Sequence, residues 1–263
     1  MVVRGPNRRT DFHIEAGEEL FYQLKGDMIL QVITNDRFQS IVIHQGQVFL
    51  LPSHIPHSPQ RTEHSIGIVV ERQRAPDELD RLQWYCDSCN IVVHEERFHC
   101  KSLDSQLSSI MNKVETNQNF TRCPQCDRCI FIPRQTKMEV NGEIFWPYRY
   151  IHPLPFDLNQ RISELESQEK PGRYRLFSDF THFQVEAIFG ELSERRLNSH
   201  EVWFLQLSSR VQLTFHTTEI IIEQGQTYLL QPNQVYEERR PADSIGNCSY
   251  YSDIFYALGS LYF

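Results

Sequence analysis

No apolar stretch in this 263-residue chain approaches the roughly 20 residues that a helix needs to cross a bilayer, so no helical membrane span is expected. The opening MVVRGPNRRT has no apolar run of the signal-peptide kind either, and the expected address is the cytosol. Positive charge is scarce: 26 Lys and Arg against 34 Asp and Glu leave a formal charge of -8 and a pI near 5.8. Affinity for phosphate backbones comes mostly from Lys and Arg, so no nucleic-acid partner is expected. A small molecule or a protein fits this charge better. Nor does the chain lack hydrophobic residues as a disordered one would, at 40% hydrophobic and 12% aromatic.

What is present favours strands, with 17 Phe and 11 Tyr. From Glu18 to Arg72 short aromatic and β-branched runs (LFYQL, MILQVI, SIVIH, VFLL, IGIVVE) alternate with turn residues such as Gly26-Asp27 and Gln45-Gly46. This spacing predicts one β-barrel over about residues 2–74. Between Leu103 and Val114 apolar residues recur at helical spacing behind Ser102, a candidate N-cap. A second helical pattern, Leu158, Ile162 and Leu165, follows Asp157 and stops at Lys170-Pro171-Gly172, and residues 135–173 read as a connection. Strands then resume with FQVEAIFG, VWFLQL, VQLTF, EIIIE and TYLL. EELFYQL and GQVFLL in the first half match EVWFLQL and GQTYLL in the second, in the same order, which points to internal duplication. The expected organisation is therefore a first barrel over residues 1–85, a segment and linker over 86–173, and a second, degenerate barrel over 174–263.

Two clusters carry chemistry. His13 and Glu19 lie six positions apart, and His57 follows in HIPHSPQR. Two imidazoles and one carboxylate leave positions open on a divalent metal, and barrel strands that alternate inward and outward can gather all three at the mouth. Of the seven cysteines, four form Cys86-x-x-Cys89 and Cys123-x-x-Cys126. With no secretory signal, that spacing predicts a tetrahedral metal site holding iron or zinc, not disulfides. Cys129, in CPQCDRC, competes with Cys126 for the fourth position, and the paired spacing favours Cys126.

Glu19-x6-Gly26, Gly46-x5-Pro52 and Pro52-x4-His57 outline the two motifs of the cupin superfamily, with Asp11-Phe12-His13 where His-x-His is usual. The segments GPNRRTDFH, EELFYQLKGDM, FLLPSHIPHSPQR and GIVVERQR resemble the 3-hydroxyanthranilate 3,4-dioxygenase family over nearly the whole first barrel. The resemblance implies an all-β protein of two jelly-roll cupin barrels joined by a helix-containing linker. It implies His13, Glu19 and His57 as ligands of a catalytic Fe2+, Arg9 and Arg61 as holders of the substrate carboxylate, Arg9 also near O2, and Glu71 as general base. Arg8, Arg72 and Arg74 read as solvated surface charges. The implied reactants are 3-hydroxyanthranilate and O2, opened to 2-amino-3-carboxymuconate semialdehyde; monomer and homodimer both stay open.

WYCDSC and TRCPQC resemble the single-cupin branch of the family, in which four thiolates hold a second metal. Family members carry a few dozen residues before the RGPN-type segment, so an edge of the first barrel is expected to be missing. Aligning the repeats sets Arg196, Val202 and Tyr236 against His13, Glu19 and His57, so a structural second barrel is expected; the adjacent His200 and Glu201 would point to opposite faces of a strand. The competing reading is a non-catalytic cupin that binds a metal or an aromatic acid.

Overall fold

Alternation of β-branched and aromatic residues with polar ones builds two β units, residues Met1–Asp157 and Leu158–Phe263. The computed structural model describes residues 1–7, 9–129, 154–177 and 181–251. Arg8 and most of the expected connection, residues 135–153, lie outside them. No helix among the described residues is long and apolar enough to cross a membrane.

The first unit begins with β1 (Val2–Arg4), β2 (Asp11–Ile14), β3 (Glu19–Lys25), β4 (Met28–Thr34), β5 (Arg37–Ile43), β6 (Gln47–Leu51), β7 (His57–Arg61) and β8 (Ile66–Val70). They pair antiparallel in two sheets, with neighbours in the order β1-β8-β3-β6 and β2-β7-β4-β5. That interleaving is the jelly-roll order, in which strands distant in sequence become neighbours. Phe21, Met28, Leu30, Val32, Ile41, Ile43 and Phe49, each at most 3% exposed, fill the space between the sheets. β9 (Asp80–Tyr85) and β10 (Val92–Phe98) extend the second sheet beside β2, and β11 (Phe156–Asp157) extends the first beside β6.

Helix α1 (Leu103–Glu115) packs Leu107, Ile110, Met111 and Val114 against Leu82 and Trp84 of β9. Ser102 stands at its N-cap, yet its side chain makes no cap hydrogen bond. Gln106 Oε1 instead accepts from the backbone N–H groups of Lys101 and Ser102 at 2.7 and 2.9 Å, so a side chain from inside the helix satisfies the chain entering it. A four-residue turn, α2 (Gln118–Thr121), follows.

The second unit opens with α3 (Leu158–Gln168), which buries Leu158, Ile162 and Leu165 as their spacing predicts. β12 (Gly172–Arg175) and eight further strands follow: β13 (Phe183–Phe189), β14 (Leu192–Asn198), β15 (Val202–Ser208), β16 (Arg210–Phe215), β17 (Thr218–Glu223), β18 (Thr227–Leu230), β19 (Gln234–Arg240) and β20 (Ile245–Tyr251). Their sheets run β13-β20-β15-β18 and β14-β19-β16-β17, the order of the first unit repeated strand for strand.

The repeat extends to individual hydrogen bonds. Gly46 and Gly225 both adopt positive φ, 85° and 79°, where a Cβ would be strained. Their N–H groups donate to the carbonyls of Gln23 and Gln206 at 2.7 and 2.8 Å. Gln47 and Gln226, next in sequence, each accept through Oε1 from the N–H three residues back. The short matched stretches in the two halves are thus one barrel corner, built twice. Registers agree as well: His13 faces His57 and Glu19 faces Leu51, while Arg196 faces Tyr236 and Val202 faces Leu230.

Candidate metal centre and substrate cavity

Period-two alternation aims one face of each strand into the mouth of the first barrel. Glu19 and Phe21 on β3, His57, Pro59 and Arg61 on β7, and Val69 and Glu71 at the end of β8 all line one cavity of 330 Å³, together with His13, Arg9 and Leu107. That size suits a single-ring ligand. His13 and His57 stand directly opposite on paired strands, ring centroids 5.3 Å apart. Glu19 enters from the facing sheet, its Oε1 2.9 Å from His57 Nε2 and 3.7 Å from His13 Nδ1. All three residues are buried.

The outward nitrogens decide what the inward ones can do. His13 Nε2 donates to the Asp80 carboxylate at 2.8 Å, and His57 Nδ1 donates to the Ile55 carbonyl at 2.9 Å. In the neutral rings this leaves a lone pair on His13 Nδ1 and on His57 Nε2, both turned toward Glu19 Oε1, which has no hydrogen-bond partner of its own. Three lone-pair donors converge within 4.8 Å with no donor hydrogen between them. Neighbouring ligands of a cation held at about 2.1 Å sit roughly 3 Å apart, so the donor set fits a divalent metal. Burial opposes ionisation of Glu19, but in the metal-free site the His57 and His13 imidazoles, when protonated, outweigh it and hold the carboxyl down at about 2; a metal takes the place of those protons and meets Glu19 in the ionised form it requires.

Asp80 was not among the residues singled out from the sequence. Its signal was there: Asp80, Leu82 and Trp84 share one buried face of β9, and an acid on such a face needs a partner. Since Asp80 fixes the tautomer and tilt of His13, Asp80→Asn should weaken metal affinity by about ten- to a hundredfold. Competition against a fluorescent chelator measures it, and unchanged affinity would remove Asp80 from the site.

The arginines divide into three kinds. Arg9 is clamped on Asp11, the residue standing where the common cupin pattern has a further histidine, through its Nε at 3.1 Å and a shorter second contact. Arg61 has only 8% of its surface exposed and no carboxylate within salt-bridge distance among the described residues; its Nε has no hydrogen-bond partner. Burial and the neighbouring Arg9 bring its guanidinium down to about 10, still protonated at neutral pH. Arg61 is therefore a buried cation without a salt-bridging carboxylate among the described residues, lining the cavity.

Arg74 corrects the expectation of a solvated charge, as does Arg72, which is paired with Glu78. The Arg74 side chain is only 4% exposed and meets Glu15, Glu71 at 2.7 Å and Asp80 at 2.8 Å. It sits there because the segment between β8 and β9 brings it to the buried carboxylates of Glu15, just after β2, and Asp80, on β9, with the half-buried Glu71 beside them. Removing it would leave them without a counter-charge, so Arg74→Ala should cost about 3–5 kcal/mol. At roughly 2–4 °C per kcal/mol for a chain of this size, Tm should fall by about 6–20 °C. A shift under about 2 °C would mean that the network relaxes without Arg74.

The four cysteines of the paired motifs also come together: the sulfurs of Cys86, Cys89, Cys123 and Cys126 lie within 4.8 Å of one another, whereas Cys129 is exposed and outside the group. Two identical turns present them. In each, the first cysteine's N–H donates to the carbonyl five residues on (Ile91, Arg128) at 2.9 Å. Its carbonyl accepts from the residue four on (Asn90 at 2.9 Å, Asp127 at 2.8 Å). Asn90 and Asp127 take positive φ, 56° and 55°, a conformation that Asn and Asp tolerate better than most residues. Desolvation opposes it, but the N–H groups of Ser88 and Cys89 directed at the Cys86 sulfur hold that thiol down at about 7. Four sulfurs in this array are a donor set for a tetrahedral metal.

A jelly-roll barrel that turns two imidazoles and one carboxylate toward a cavity at its mouth defines a cupin with the donor arrangement used by non-haem oxygenases. A family model described as 3-hydroxyanthranilic acid dioxygenase matches residues 1–115. The chain is 31% identical to a 3-hydroxyanthranilate 3,4-dioxygenase of Nematostella vectensis, over 94% of this chain and 85% of that protein. It is 33% identical to the Homo sapiens one, over 93% and 83%. With the Neurospora crassa one it shares 43% identity over 126 residues, covering 48% of this chain and 70% of that protein. Among solved structures, oxalate decarboxylase from Bacillus subtilis at pH 4.6 aligns with a TM-score of 0.48 at 11% identity, over 93% of this chain and 65% of that one. The chain belongs to the 3-hydroxyanthranilate 3,4-dioxygenase family, and it is an oxygenase. Membership weighs against the reading as a non-catalytic binder.

Proposed function

We propose that the chain opens the ring of 3-hydroxyanthranilate with O2, using Fe2+ held by His13, Glu19 and His57. The observation that carries this reading is the guanidinium of Arg61, without a salt-bridging carboxylate among the described residues, in the same cavity as the triad. A benzoate-type carboxylate supplies the missing anion, and the planar fork receives it through two parallel N–H donors. Arg9, held straight by Asp11, supports the same carboxylate and stands beside the O2 path. Phe21, Pro59, Val69 and Leu107 form the apolar walls for the ring and keep water out.

With the carboxylate fixed, the ortho hydroxyl and amine turn toward the triad. Glu71, anchored on Arg74, accepts the phenolic proton as the substrate settles, a general-base role. Iron(II) bound there supplies Lewis acidity and the electron transfer that O2 requires. The ring bond next to the hydroxyl-bearing carbon breaks and both atoms of O2 enter the product, 2-amino-3-carboxymuconate semialdehyde. That product is the precursor of quinolinate and NAD, which fits a cytosolic enzyme. Turnover under 18O2 tests the reading: the new carboxylate should carry one labelled oxygen, and the aldehyde the other when it is trapped before exchange with water; a carboxylate without label or unchanged substrate would overturn it.

Cys86, Cys89, Cys123 and Cys126 hold a structural iron or zinc. Helix α1 lies between the two pairs in sequence and sends Leu107 into the cavity, so the site fastens a wall of the pocket without touching substrate. Cys86→Ser with Cys89→Ser should lower Tm by roughly 5–10 °C, at about 2–4 °C per kcal/mol, and leave most turnover intact. Abolished turnover in a chain that is still folded would contradict a purely structural role.

A further inference from the structure

The second barrel has lost the donor set of the first and kept a cavity at the same place in the fold. Its volume is 460 Å³, and its lining includes Arg173, Arg196, Val202, Tyr236 and Tyr250. Register makes the comparison residue by residue: Arg196 faces Tyr236 as His13 faces His57, and Val202 pairs with Leu230 as Glu19 pairs with Leu51. Two imidazoles and a carboxylate attract a cation. A guanidinium, a phenol and an isopropyl group in their places do the reverse.

The polarity of the lining agrees. Among the described residues no carboxylate lines this cavity, although three stand behind it. Glu186, Glu194 and Glu238 all grip Arg173, and Glu238 also takes Arg240 at 2.6 Å. Arg173 is thereby engaged. Arg196 is not: of its five N–H donors, one makes a long contact of 3.3 Å to Glu194 Oε1. Tyr236 is 2% exposed, and its hydroxyl has no hydrogen-bond partner among the described residues. Tyr236 lines the cavity, so its hydroxyl is available to donate to a ligand there.

We propose that the mouth of the second barrel is a binding site for a small organic carboxylate. Arg196 and the Tyr236 hydroxyl hold the anion, and Val202 and Tyr250 flank its apolar part. Arg196, with four of its five N–H donors uncommitted among the described residues, offers one guanidinium to one carboxylate. The volume matches an aromatic or branched acid. This site would respond to such an acid without any metal, and it stands independently of the reaction assigned to the first barrel.

Benzoate, followed by calorimetric titration of the full chain, is the probe. Arg61→Ala serves as background so that the first barrel contributes least. That chain should still show a saturable benzoate site, and adding Arg196→Ala should weaken it at least about tenfold. Adding Tyr236→Phe, which keeps the ring and the packing, should weaken it about two- to tenfold. With Arg61 intact, Arg196→Ala should leave oxygen uptake with 3-hydroxyanthranilate unchanged. If the Arg61→Ala chain shows two benzoate sites, one of which is lost with Arg196→Ala, the proposal stands and only the role of Arg61 falls. Absence of any saturable site in the Arg61→Ala chain, or a site indifferent to both Arg196→Ala and Tyr236→Phe, would overturn it.

Discussion

Arg61→Ala lowers kcat/KM for 3-hydroxyanthranilate by about ten- to over a hundredfold, the equivalent of a lost charged hydrogen bond worth roughly 1.5–3 kcal/mol. The loss is selective, because Arg61 has no other carboxylate to serve among the described residues. With 2-aminophenol, which keeps the hydroxyl and amine and lacks the carboxylate, variant and wild type differ little. Arg61→Lys restores only part of the activity, since an ammonium keeps the charge but not the fork. Oxygen uptake with both compounds at matched iron content is the measurement. Equal loss with both would mean that Arg61 serves the fold or the metal site instead.

The second large effect concerns the triad. His13→Ala, Glu19→Ala and His57→Ala each remove the active-site iron and reduce turnover to background while circular dichroism stays that of the wild type. The fold survives because the core between the sheets, Phe21 to Phe49, owes nothing to the metal. Loss of Glu19 even relieves a buried acceptor that has no hydrogen bond. Iron analysis must separate the two metal sites, so each variant is best compared in the Cys86→Ser, Cys89→Ser background. Any two of the three retaining stoichiometric active-site iron would end the assignment.

Much of this was legible in the chain. Strands β3–β6, β8, β13 and β15–β18, with α1 and α3, followed from period two and period 3.6, whereas polar strands such as β7, β10, β14 and β19 carry too few apolar residues to show the pattern; the duplication was visible because the matched stretches form a hydrogen-bonded corner that tolerates little change. His13, Glu19 and His57 were legible because a metal constrains residue type and spacing together. Arg74 was not, because a guanidinium in ERQRAPDELD has the composition of a solvated turn, and only the closure of the barrel brings Glu15, Glu71 and Asp80 to it. Ser102 stands at the N-cap as its residue type predicts, but its side chain makes no cap hydrogen bond, and Gln106 accepts from the N–H groups of Lys101 and Ser102 ahead of the helix, a contact that only the folded geometry shows. The difference between Arg9 and Arg61 was equally hidden, since pairing with Asp11 is a matter of side-chain placement.

The central claim is that His13, Glu19 and His57 hold an iron that acts on 3-hydroxyanthranilate held by Arg61. Anaerobic reconstitution of metal-free protein with ferrous iron, followed by oxygen uptake on adding 3-hydroxyanthranilate, tests it most directly when wild type and Glu19→Ala are run side by side. The account predicts that wild type consumes O2 equimolar with substrate, at a rate that rises with active-site iron, while Glu19→Ala stays at the iron-free background. Iron-loaded wild type that consumes no O2, or a Glu19→Ala chain that matches it, would contradict the account.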